Sequence, residues 1–83
     1  MKTLYVYTRP ACSGCAAVKK FLNEMSIPYV EIDVDTNSAA RRRLTAAGHR
    51  SVPQLYADDA LLVRGGWNSV KSMRREEILD RLK

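Results

Sequence analysis

The sequence predicts an α/β fold in which a mixed four-stranded sheet is flanked by three helices, in the order β-α-β-α-β-β-α. Three observations carry this expectation. Two strand-like runs, 2–7 and 29–34, bracket a segment whose apolar residues Val18, Phe21, Leu22 and Met25 recur at helical spacing. A β-α-β unit of that kind pairs its strands in parallel through a right-handed crossover. Two later strands are separated only by Asp58-Asp59-Ala60, a hairpin signal that adds an antiparallel edge. The 83 residues contain no linker, repeat or low-complexity segment, so 1–83 reads as a single domain.

Strand 1 spans Lys2–Tyr7, which alternates and is rich in β formers. Thr8-Arg9-Pro10-Ala11 is a loop. Helix 1 runs from about Cys12 to Met25, and Ser26-Ile27-Pro28 stops it because proline lacks an amide donor. Strand 2 covers Tyr29–Val34. Asp35-Thr36-Asn37-Ser38 offers several N-caps for helix 2, which ends near Ala47 with Gly48 suited to a left-handed C′ position. Ala40, Leu44 and Ala47 give helix 2 a thin apolar face. Gln54–Ala57 and Leu61–Arg64 are strands 3 and 4, and Gly65-Gly66 ends the latter. Asn68 caps a last helix that carries Val70, Met73, Ile78, Leu79 and Leu82. The step from Met73 to Ile78 breaks helical phase and predicts a kink, or a division into two short helices near Ser72. This element order is a thioredoxin-like arrangement.

Composition excludes several function classes. No apolar run approaches the ~18 residues of a membrane span. Met1-Lys2-Thr3-Leu4 leads directly into strand 1 without the apolar stretch of a signal peptide, so a cytoplasmic location is expected. The net charge of +5 is concentrated in Arg41-Arg42-Arg43 and Arg74-Arg75. Solvated helix faces account for such runs, and attraction of anionic partners is the sharper alternative. Nucleic acid is not an expected partner, because the basic residues are dispersed and no aromatic ladder accompanies them.

The chemistry lies in Cys12-Ser13-Gly14-Cys15, which holds both cysteines of the chain. It follows a strand and opens a helix. A helix N-terminus carries partial positive charge and unpaired amide donors that stabilise a thiolate. A second thiol one turn on can close a disulfide with the first, which is the apparatus of thiol–disulfide exchange. A structural bridge over so short a loop would constrain the unfolded chain little. Two thiols and one remote histidine, His49, do not make the four ligands of a structural zinc site, so no metal is expected. His49 itself reads as a surface loop residue.

Three blocks, Tyr7-Thr8-Arg9-Pro10-Ala11-Cys12-Ser13-Gly14-Cys15, Ser51-Val52-Pro53-Gln54 and Gly65-Gly66-Trp67-Asn68, resemble the signature segments of glutaredoxins in order and spacing. The resemblance implies a small oxidoreductase that reduces protein or glutathione mixed disulfides, with glutathione as reductant. Cys12 matches the nucleophilic cysteine and Cys15 the resolving one. Arg9 stands where the family usually has a lysine for a glutathione carboxylate, and Arg50 matches a second polar position at the glycine end. Val52 precedes what the family makes a cis-proline, Pro53, and its backbone pairs with the cysteine of glutathione. Gly66 permits close approach, while Trp67 and Asn68 match positions that meet the γ-glutamyl end.

The chain departs from the family pattern at two places. Cys-Pro-Tyr-Cys is replaced by Cys12-Ser13-Gly14-Cys15, and the aspartate pair common after Gly-Gly by Trp67-Asn68-Ser69. The Arg9 region and Gly48-His49-Arg50 are also similar to NrdH-type redoxins, which take electrons from thioredoxin reductase and pass them to ribonucleotide reductase. A third implication comes from Ser13. In the family, loss of the active-site proline accompanies binding of an iron–sulfur cluster between Cys12 thiolates and glutathione of two protomers. The expected state otherwise is a monomer that acts on disulfide-containing proteins.

Overall fold

In the computed structural model, which describes residues 1–83, the sheet is built around β1 (Leu4–Thr8). β1 pairs in parallel with β2 (Val30–Asp33), from Tyr5↔Val30 to Thr8↔Asp33. On its other side it pairs antiparallel with β3 (Gln54–Ala57), from Leu4↔Ala57 to Tyr7↔Gln54. β4 (Ala60–Leu61) extends β3, giving the order β2-β1-β3-β4. This is the mixed, thioredoxin-like sheet that the sequence predicts.

Alternation along β1 and β3 sorts side chains onto two covered faces. Leu4, Val6, Leu55 and Ala57 join Val18 and Leu22 of α1 (Ser13–Glu24), Val70 of α3 (Trp67–Val70) and Ile78 of α4 (Arg75–Arg81) in the larger core. Tyr7 and Tyr56 point the other way and meet Ala40 and Leu44 of α2 (Ser38–Ala46). Helix 2 is thin because it covers only this smaller cluster. No helix is long and apolar enough to cross a membrane.

Four helices, not three, flank the sheet. The phase break between Met73 and Ile78 is a true division. The Met73 amide closes the end of α3 on the Val70 carbonyl (2.9 Å). Arg74 then takes an extended conformation (φ −86°, ψ 159°), and its amide donates to Glu77 Oε1 (3.0 Å), which starts α4. Dividing the segment lets Val70, Met73, Ile78 and Leu82 all reach the same core. The last helix also begins differently from expectation. Gly66 is the N-cap of α3 and Asn68 lies inside it. The fourth strand is Ala60–Leu61 rather than Leu61–Arg64, because Gly65 (φ 96°) and Gly66 (φ 55°) turn the chain away toward α3. The Leu62 carbonyl, freed near this edge, accepts from Arg81 Nη1 (2.7 Å). At the other end, β1 runs through Thr8 instead of stopping at Tyr7, since Thr8 still has a partner in Asp33.

Helices α1 and α2 end in the same way. The amides of Ser26 and Ile27 return to Asn23 O (3.1 Å) and Leu22 O (3.0 Å), and those of Gly48 and His49 to Thr45 O (3.0 Å) and Leu44 O (2.9 Å). This is the paired backbone closure in which the residue after the C-cap is left-handed. Gly48 (φ 89°) meets that demand without cost, whereas Ser26 (φ 55°) does so with a Cβ. The helix therefore stops through its backbone turn and the Leu22–Ile27 apolar pair, with Pro28 following. Ser26→Gly is expected to raise stability by about 0.5 kcal/mol net, the left-handed strain relieved being partly offset by added freedom of the unfolded chain. A melting midpoint higher by about 2–4 °C would record this, and an unchanged or lower one would contradict it.

Candidate active site

The disulfide-forming pair sits where α1 meets the sheet. Cys12 is the N-cap of α1 rather than its first helical residue, with extended backbone (φ −111°, ψ 109°). It is bonded to Cys15, with the two Cα atoms 5.2 Å apart. The Cys15 amide donates to Cys12 Sγ (3.1 Å), so the sulfur takes the place that a serine or aspartate oxygen holds at other helix starts. One of the orphan amides of α1 is thus aimed at the atom where thiolate charge would reside, and the twelve-residue helix adds its dipole. Exposure divides the pair: Cys12 is partly exposed, while Cys15 is 2% exposed. Only the first sulfur is open to an incoming disulfide.

Pro53 draws the three sequence blocks together. The Val52–Pro53 peptide is cis, as the resemblance implies. Cys12 Sγ lies 3.7 Å from the Val52 carbonyl oxygen. A Cβ on Gly14 would stand 3.2 Å from Pro53 Cδ, and one on Gly66 would stand 2.6 Å from Pro53 O. Glycine at 66 is therefore required twice, by its positive φ and by the approach of the Pro53 carbonyl. Trp67 packs edge-on against Phe21 of α1 (ring centroids 5.5 Å apart) and lines the open side of the site, so it serves both the core and the surface.

Two clefts flank Cys12. One, of 660 Å³, contains Arg50, Val52, Pro53, Gly66, Trp67 and Asn68 together with Gly14, Gln54 and Arg64. Most of the residues implied for glutathione are thus brought together. Arg9 lies outside this cleft, although it shares a smaller neighbouring one with Arg50 and Val52. It lines the second cleft with Cys12 and Cys15, and its guanidinium pairs with Asp35 (3.4 Å). Its charge is shared with a carboxylate, so the Cys15 amide is the direct donor to Cys12 Sγ. No group of three or more His, Cys, Asp or Glu side chains converges in a way that could hold a metal ion.

Several supporting residues escaped sequence reading. Arg43 Nη1 donates to Tyr7 Oη (3.0 Å), Arg43 Nη2 donates to Asp59 (3.2 Å), and its guanidinium stacks 4.9 Å from the Tyr56 ring centre. His49 is not a loose surface residue: its Nε2 meets Tyr56 Oη at 2.8 Å and ties the loop of Arg50 to the sheet. Burial raises the Tyr7 hydroxyl above the usual tyrosine range, against the opposing pull of Arg43. Arg41 Nη1 donates to the Val34 carbonyl (3.3 Å), so the arginine run mainly serves the fold. Arg64 left a signal in the sequence, a cation immediately before Gly65-Gly66, that composition reading passed over.

The second cleft also holds Glu31, which accepts from the buried Thr8 hydroxyl (2.8 Å) and from Lys19 (3.0 Å). The Thr8 and Lys19 bonds hold its carboxyl below the usual glutamate range. A depressed folded value means stability present above the unfolded value and lost as pH falls through the folded one. Glu31→Gln is expected to flatten stability against pH on the acid side, below about pH 4.5, because it lacks the carboxylate's contribution at neutral pH, where it is modestly less stable, and meets the parent protein in acid. Denaturant midpoints across pH 3–7 test this, and parallel profiles for both proteins would refute it. For the close approach at Pro53, Gly66→Ala is expected to slow disulfide reduction by more than about tenfold while circular dichroism stays native-like.

The comparisons with known proteins agree with this geometry. The family profile described as Glutaredoxin matches residues 4–62. A glutaredoxin of Neisseria meningitidis serogroup B is 32% identical over 99% of this chain and 96% of its own. Among solved structures, a buckwheat glutaredoxin–glutathione complex superposes with a TM-score of 0.76 at 26% identity, covering 98% of this chain and 76% of that one. The glutaredoxin-like NrdH-redoxin of Escherichia coli, a protein with a thioredoxin-like activity profile, gives 0.73 at 28% identity, covering 98% of this chain and 95% of that one.

Proposed function

The chain belongs to the glutaredoxin family as a thiol oxidoreductase with a Cys12–Cys15 pair, and on that premise we propose that it reduces mixed disulfides by attack of Cys12 with glutathione as electron donor. The observation that carries the reading is the pairing of an accessible Cys12 sulfur with a cleft that gathers Arg50, Val52, Pro53, Gly66, Trp67 and Asn68 beside it. In the reduced protein the Cys12 thiolate attacks one sulfur of the substrate disulfide. A new Cys12–substrate disulfide forms and the other half leaves as a thiolate. The Cys15 thiolate then displaces the bound half, closing Cys12–Cys15 and completing a two-electron reduction of the substrate. Two glutathione molecules return the pair to dithiol. The Cys15 amide stabilises Cys12 both as attacking thiolate and as leaving sulfur. Arg9 and Arg50 are assigned to the ligand's carboxylates, and the backbone of Val52 to its cysteine. A reducing compartment such as the cytoplasm suits a pair that must cycle.

A second reading is favoured by one residue and one likeness. Asn68 is neutral where an acid would pair the ligand's ammonium, and the superposition on NrdH-redoxin covers nearly both chains. In that reading thioredoxin reductase supplies the electrons and ribonucleotide reductase is a candidate acceptor. Coupled turnover with glutathione and glutathione reductase, set against turnover with thioredoxin reductase, separates the two. Turnover with the latter alone would sink the glutathione reading.

Cys12→Ser is expected to abolish disulfide reduction. Cys15→Ser should lose protein-disulfide reduction yet keep deglutathionylation, which needs one thiol. The reverse pattern would exchange the assigned roles. Asn68→Asp should improve glutathione use by about threefold to tenfold, since charge-assisted bonds are roughly twice as strong as neutral ones. Steady-state turnover with a glutathione mixed disulfide measures it.

A further inference from the structure

We propose that the 660 Å³ cleft beside Cys12 selects small thiols, presented as mixed disulfides, whose binding end is anionic and lacks a free ammonium group. The inference rests on the reading above that Cys12 exchanges with small-molecule disulfides. Cleft size sets the class of ligand, because ~300–1,000 Å³ is the range of small-molecule sites. Charge sets its chemistry. The fourteen lining residues include Arg50, Arg64 and His49, and none is aspartate or glutamate.

Arg64 is the residue that decides the inference. It precedes Gly65 and Gly66, on the side of the cleft completed by Trp67 and Asn68. Neither Arg64 nor Arg50 makes an ion pair or donates a side-chain hydrogen bond within the chain. Arg9, Arg43 and Arg74 are paired to acids, and Arg41, Arg75 and Arg81 donate to carbonyls. Two unpaired guanidinium groups thus face one opening from the loop before β3 and the loop before α3. A ligand ammonium beside Arg64 meets like charge and only the neutral Asn68 amide. A carboxylate or phosphate there meets the planar, many-donor Arg64 cation, suited to bidentate pairing, while Arg50 remains for the ligand's second carboxylate. The cleft is therefore selective against a zwitterionic end and for a purely anionic one. Both arginines are exposed, so solvent screening keeps the discrimination modest.

The electron balance is that of the proposed exchange. The Cys12 thiolate attacks the small thiol's sulfur, the Cys12–small-thiol disulfide forms, and the other thiol departs with the electron pair. Cys15 then releases the small thiol and the protein is left oxidised.

The test uses the full chain, reduced at both cysteines, in single turnover without external reductant. Four 2-pyridyl disulfides serve as probes, since each loses the same neutral, coloured thione. They carry glutathione, glutarylcysteinylglycine (glutathione with hydrogen in place of its ammonium), glutathione diethyl ester, and uncharged mercaptoethanol for normalisation. The glutaryl probe is expected to react about fivefold faster than glutathione after normalisation, with the diester slowest. Arg64→Gln should bring the glutaryl-to-glutathione ratio close to one, Arg64→Lys should restore much of it, and added salt should reduce it in the native protein. Equal or faster reaction of glutathione, or a ratio unmoved by Arg64→Gln, overturns the anionic selectivity while leaving small-molecule exchange standing. Should none of the charged probes outpace mercaptoethanol, the small-molecule reading fails and the selectivity fails with it.

Discussion

Everything at this site depends on how closely two segments approach Pro53. Gly14 of α1 and Gly66 before α3 leave room that any Cβ would fill, at 3.2 Å from the proline ring and 2.6 Å from its carbonyl oxygen respectively. That proximity brings the Val52 carbonyl within 3.7 Å of Cys12 Sγ and opens one continuous cleft from the α1 start to Asn68. A reactive sulfur needs such backing. It must be exposed on one side to meet a disulfide, and held on the other by fixed donors so that its charge is stabilised without reorganisation. The Cys15 amide and the dipole of α1 supply the second requirement, and the cleft that Cys12 lines with Thr8, Arg9 and Pro10 supplies the first.

The sheet transmits this precision to its far face. Tyr7 and Tyr56 leave β1 and β3 side by side and pack edge to face (5.5 Å). Arg43 caps both rings, and His49 bonds to Tyr56. Tyr7 stands two residues before Arg9, and His49 directly precedes Arg50, so the polar cluster beneath the sheet anchors both segments that carry the site's arginines. Polar groups in this position are tolerated because each finds a partner, and no buried side-chain nitrogen or oxygen is left unsatisfied. The cationic character of the site comes from the opposite condition: Arg50 and Arg64 are the guanidinium groups at the cleft that the fold does not consume.

What the sequence by itself determined was whatever local pattern dictates. Helical recurrence of Val18, Phe21 and Leu22, alternation in the first strand, a glycine at the end of α2 and the Cys12–Cys15 spacing are readable because each involves residues a few positions apart. Even the break after Met73 showed in the helical phase, although its outcome, two helices started by separate caps, required the core that both must reach. Tertiary structure alone decided the charge pairing and the shape of the cleft. Arg43 finds Tyr7 across 36 residues and Asp59 across 16, Arg9 is claimed by Asp35, and Arg64 is left without a partner. No periodicity encodes such choices. A flexible cation can reach many carboxylates, and which one it meets follows only from where the sheet and loops set the backbone.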